Sequence, residues 1–182
     1  MNEPAPRRPD LSAQVLALCR LRGGPQDLPW SPALLGVLFV AATALDVAVG
    51  DLLDRDDRAL ARSLLSSLVI LGLCWVALAV RSHRNRFVQT ATAIIATGIV
   101  FTLLQGALLW FGGVPPGATT AALTTTQSLV AWSLFAIFLW QVAVTAHIVR
   151  HAVDLSAGFA LTLVIIWIVA WWALEQAVFG AR

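Results

Sequence analysis

At 182 residues, 59% hydrophobic and only 12% charged, with a mean hydropathy of +0.81, the chain falls outside the soluble range of about 45–50% apolar and about 25% charged residues. Its net charge of +2 comes from twelve arginines, no lysine and ten acids, too thin a basic surface for nucleic acid to be a partner. Cys19 and Cys74 stand 55 positions apart with no CxxC spacing, which predicts two free thiols and no disulfide.

Residues 1–29 carry charge throughout and read as a cytosolic segment, not as a signal peptide. MNEPAPRRP is proline-rich and polar, a composition that predicts disorder. DLSAQVLALCRLRGG then reads as a short amphipathic helix. Asp10 is its N-cap, Leu11, Val15 and Leu18 form one stripe, Arg20 and Arg22 come late, and Gly23 is the stop. Such a helix is expected to lie on the inner leaflet of a membrane, with a flexible or partner-bound segment as the competing reading.

Residues 30–182 form the second unit, an all-α polytopic membrane domain. A helix crossing about 30 Å of hydrocarbon needs about 20 mostly apolar residues, and five runs qualify. They are Pro32 to Gly50, Ala59 to Val80, Phe87 to Phe111, Ser128 to Val149 and Ala157 to Phe179. Ser31 and Pro32 supply an N-cap and a first-turn proline. The connections are DLLDRDDR, RSHRNR, GGVPPGATTAALTTTQ and HAVDLS.

Arginine placement predicts N-in, C-out. Arg7, Arg8, Arg20, Arg22, Arg81, Arg84, Arg86 and Arg150 are then inside, against Arg55, Arg58, Arg62 and Arg182 outside. Trp30, Trp110, Trp132, Trp171 and Trp172 fall near helix ends as an aromatic belt, while Trp140 and Trp167 are deeper and predict packing between helices.

Ionisable groups inside spans are costly, so each demands a role. Asp46 and Arg62 lie at similar depths in two helices joined by a tight turn, which predicts an intramembrane ion pair, with a proton or cation site at Asp46 as the competing reading. Gly98, Thr102 and Gly106 repeat every four residues and predict a helix-packing face. Gln89, Gln105 and Gln141 read as hydrogen-bonding glue between helices.

His147 and His151 share one helix face. That geometry can chelate a metal but cannot supply the two opposite axial ligands of one haem. With no Cys or acid cluster beside them, the pair reads as the polar end of a helix. Asp154 or Ser156 then caps the next helix. No cofactor and no metal are expected. Together with Arg81, Arg84, Arg86 and Arg150, the two histidines compose a cytosolic face able to meet a partner. No nucleophile elbow, phosphate loop, kinase set or HExxH occurs, which argues against an enzyme.

Two stretches carry a resemblance. RFVQTATAIIATG, with Phe87, Gln89 and Thr90, and LWQVAVTAHIVRHAVDLSAGFALTLV, with Leu155, Ser156, Gly158 and Ala160, resemble the Yip domain family of five-span membrane proteins in its bacterial branch. The resemblance implies five spans and a cytosolic N-terminus. Eukaryotic members carry tyrosine-containing signatures and this chain has no tyrosine, so it implies a fold and not a trafficking role. The expected function is a non-enzymatic inner-membrane scaffold or accessory subunit that meets membrane lipid and other subunits or copies of itself. The alternative is a small-solute or ion transporter or channel using intramembrane polar residues, and a redox subunit is a third, weaker reading.

Overall fold

The computed structural model describes residues 10–54, 58–113 and 124–180. Residues 1–9, the middle of the acidic turn, residues 114–123 and the last two residues lie outside it. The expectations of disorder for the first nine residues, and of the placement of Arg7, Arg8, Arg55 and Arg182, fall there.

Every element among the described residues is helical. The short α1 (Leu11–Cys19) precedes α2 (Pro32–Asp54), α3 (Ala59–Val80), α4 (Phe87–Gly112), α5 (Thr125–Val153) and α6 (Ala157–Phe179). Three-residue 3-10 turns sit at Pro25–Asp27 and Arg84–Arg86. Helices α2 to α6 are long and apolar enough to cross a membrane. At about 1.5 Å per residue they measure about 33–44 Å, against about 30 Å of hydrocarbon.

Local chemistry sets the ends. Ser31 Oγ accepts from the Leu34 amide at 3.2 Å, closing the α2 start around the first-turn proline. Helix α5 begins three residues earlier than its apolar run, because Thr124 and Gln127 form a reciprocal capping box, with Thr124 N donating to Gln127 Oε1 at 2.9 Å. It also runs on through His151 to Val153, ending where Asp154 turns left-handed at φ 52°. Asp154 therefore ends α5, and Ser156 caps α6 through the Phe159 amide.

Contacts between helices close a ring in the order α2, α4, α5, α6, α3 and back to α2. One core joins α3, α5 and α6 through Cys74, Leu78, Val149, Ala160, Val164 and Trp167. The other holds Ala93, Ala96 and Phe101 of α4 with Val144 and Ile148 of α5, and its remaining members are Val15, Leu18, Cys19 and Leu28. Residues 10–29 thus share a core with the spans and do not form a separate layer. The stripe read from the sequence is real, but it seats on α4 and α5. α4 can accept it because Thr90, Thr92 and Thr97 return their hydroxyls to carbonyls one turn back, at 2.8, 2.7 and 2.8 Å, leaving small apolar surfaces outward. Helix α1 stops at Cys19, short of Arg20 and Arg22, in a turn whose left-handed residue is Leu21 at φ 58°.

Candidate functional site

Two polar centres stand out, one at the end of the bundle that gathers the arginines and one inside the spans. At the basic end, three helices finish on left-handed residues other than glycine: Leu21, Ser82 and Asp154. Each turn returns an amide to the last helical carbonyls: Arg22 N to Ala17 O at 2.8 Å, His83 N to Leu78 O at 2.7 Å and Leu155 N to Arg150 O at 3.1 Å.

The turn after α3 then grips the end of α5. Arg81 Nε donates to Val153 O at 3.3 Å, and Arg86 Nη1 donates to Ala152 O at 3.2 Å and to Asp154 Oδ2 at 3.0 Å. His83 Nε2 meets the same Asp154 oxygen at 3.0 Å, and its Nδ1 faces Arg81 O. Guanidinium groups on the free carbonyls of a helix C-terminus satisfy both its hydrogen bonding and its dipole. Desolvation opposes the charge on Asp154. The Arg86 hydrogen bond and charge, with those of His83, outweigh it and hold the carboxyl below its ordinary pKa.

The histidine pair does different work. His147 Nε2 donates to Gly23 O at 2.8 Å and His151 Nδ1 to His147 O at 2.8 Å, with the rings 4.3 Å apart. Trp140 Nε1 donates to Cys19 O at 2.8 Å, and Gln89 Nε2 to Leu28 O at 2.8 Å and Gln26 O at 3.2 Å. Four carbonyls of the N-terminal segment are thereby latched by α4 and α5. Burial in this seat pushes the Cys19 thiol up. Among the described residues no group of three or more His, Cys, Asp or Glu could hold a metal.

Of the six residues expected to form one interaction face, Arg81, Arg86, His147 and His151 are turned to internal carbonyls. Arg84 lies over the Trp75 ring at 5.4 Å, and Arg81, Arg84 and Arg150 are exposed. Beside α1 a groove of about 660 Å³ is lined by Gln14, Arg22, Asp27, Trp30 and Gln89 among others.

Within the spans the structure changes the expected pairing. Asp46 does not meet Arg62. Its Oδ1 accepts from Thr102 Oγ1 at 3.1 Å and its Oδ2 from Ser63 Oγ at 3.3 Å. Arg62 lies about 100° further round α3 than Ser63 and turns to α6, with Nε 3.5 Å from Glu175 Oε1 and its guanidinium 5.4 Å from the Phe179 ring centre. Asp46 meets Ser63, the residue next to Arg62 in sequence, and Arg62 itself faces the other way.

The three small residues of α4 also separate. A Cβ on Gly106 would stand 2.9 Å from Val49 of α2, whereas one on Gly98 meets nothing within 4 Å. A four-residue step drifts about 40° round a helix, so over two steps the face that begins at Gly98 has rotated before it reaches α2. Gln105 Nε2 donates to Gln141 Oε1 at 3.3 Å, joining α4 to α5 one turn beyond Thr102.

The latch built by Gln89, Trp140 and His147 joins residues that no local sequence pattern connects. Its one local signal is a run of polar backbone in GGPQDLPWSP that needs donors from elsewhere. No family model, curated protein or solved structure matches the chain.

Proposed function

We propose that the protein is a non-enzymatic multi-pass protein of the bacterial inner membrane, with its basic end in the cytosol, acting as a scaffold or accessory subunit in a membrane assembly. The observation that supports this reading is the uneven cover of the spans. Residues 125–140 of α5 include no buried side chain, and Leu129, Trp132 and Phe135 are 64%, 71% and 51% exposed. A helix stretch with no fully buried side chain and wide exposed apolar faces has surface for lipid and for neighbouring helices, where close packing drives association. Native mass spectrometry and crosslinking in nanodiscs should give assemblies larger than one chain, and a solitary monomer under both would remove the reading.

A second reading, a small-ion transporter, is favoured by one observation, the pairing of Asp46 with hydroxyls and not with Arg62. Asp46→Asn should then abolish cation flux into proteoliposomes, and unchanged flux would exclude Asp46 from transport.

A further inference from the structure

We infer that Asp46, Ser63, Thr102 and Thr43 form a binding site for a dehydrated monovalent cation of sodium size, set between α2, α3 and α4. The inference deepens the transport reading by naming its ligand, and it stands on three observations.

The first is charge. An ionised carboxylate within a span costs several kcal/mol unless something compensates it. Arg62, expected to pair with Asp46, is directed to Glu175, and the hydrogen-bond partners of Asp46 are two neutral hydroxyls.

The second is the behaviour of the hydroxyls. Thr90, Thr92, Thr97, Thr145 and Thr162 all bond back to a carbonyl one turn earlier in their own helices. Ser63 and Thr102 depart from that habit and converge on Asp46 from two different helices.

The third is Thr43. It is the one buried side chain of α2 among the described residues, only 8% exposed, and its Oγ1 has no hydrogen-bond partner. It lies one turn before Asp46 on the same helix face. A buried hydroxyl left unpaired is costly, and its free lone pairs are what a cation held beside Asp46 would take up.

A single cation answers all three. It neutralises the carboxylate, and it accepts the lone pairs of three hydroxyl oxygens, the hard donors that alkali ions prefer. One carboxylate balances one positive charge, which favours a monovalent over a divalent ion.

The test is binding, kept apart from flux so that an ion held without being carried is distinguishable from no site. Thermal unfolding of the full chain in nanodiscs would be followed at constant ionic strength as choline chloride is replaced by NaCl. The expected result is a saturable rise in melting temperature with Na+, absent in Asp46→Asn. In Thr43→Val and Thr102→Val, which keep shape and lose one oxygen, the half-saturating Na+ concentration should rise about ten-fold. Equal melting in Na+ and choline overturns the proposal, as does a Na+ effect that survives in Asp46→Asn. A stability that follows pH alone, with no response to Na+, would make the site a proton site and overturn it equally.

Discussion

The two halves of the bundle are built differently. Toward the basic end the helices are dense. Buried residues of α5 run from Val144 to Val153, and eight of the nine in α4 lie between Thr90 and Phe101. Toward the far end α5 has no fully buried residue, α4 adds only Gly106, and polar ties join the helices: Asp46 to Ser63 and Thr102, Arg62 to Glu175 and Gln105 to Gln141. Two cores make the contrast. At the basic end the N-terminal segment packs on α4 and α5, while α3, α5 and α6 close a second core on one another, and the described chain provides no equivalent wedge at the other end. The first of these cores depends on a nine-residue helix that hydropathy alone would leave outside the bundle.

That contrast can be broken most severely from the basic end. Leu18, 2% exposed in the shared core, becomes an uncompensated buried charge in Leu18→Asp. A loss of about 3 kcal/mol or more and release of α1 are expected, read by thermal unfolding in nanodiscs and by proteolysis at Arg20 and Arg22.

The next largest effect separates two glycines on the same helix. Gly106→Leu forces side-chain bulk into Val49 and should cost about 2 kcal/mol, while Gly98→Leu enters open space and should cost under about 0.5 kcal/mol. Equal losses in denaturation would show that α2 and α4 do not approach at Gly106.

A pH effect should be confined to the dense end. Since Asp154 has its pKa lowered in the folded chain, its contribution is present above the ordinary carboxylate value of about 3.9 and is lost as pH falls through the lowered one. A spin label in the turn after α3, at S82C, should become more mobile on that acid limb, and Asp154→Asn should make it mobile at every pH. A label whose mobility ignores both would remove the grip of Arg86 and His83 on Asp154.

The smallest expected change is a gain. Leu21 holds φ 58°, where a side chain costs about 1–2 kcal/mol and glycine costs nothing. Because glycine also widens the unfolded ensemble, Leu21→Gly should stabilise by about 0.5 kcal/mol, visible as a small rise in melting temperature.

The five spans were legible because an apolar run of about 20 residues has few alternatives, and α3 and α6 begin and end where hydropathy places them. Helix α2 runs on from Gly50 to Asp54 because a helix need not stop where apolarity does. The free thiols were legible too: Cys19 and Cys74 are unpaired and buried. What the sequence hid was facing. Asp46 opposes Ser63 and not its neighbour Arg62, a difference of one residue that no periodicity in either helix decides. The donors to Cys19, Gly23 and Leu28 lie 61 to 124 residues away from them, beyond the reach of any local pattern. His147 and His151, four apart and on one helix face, read as the polar end of a helix, yet the first holds the N-terminal segment and the second braces the first.

The docking of α1 on α4 and α5 underlies both the dense end and the latch, and crosslinking measures it directly. In a Cys74→Ala background, Cys19 and V144C belong to one core, while W132C sits on the exposed outer part of α5. In nanodiscs a short bifunctional thiol reagent should join Cys19 to V144C within the same chain and leave W132C unjoined. A helix lying on the leaflet surface would give no intramolecular product with V144C, and that result would contradict the docked N-terminal segment and the latch built around it.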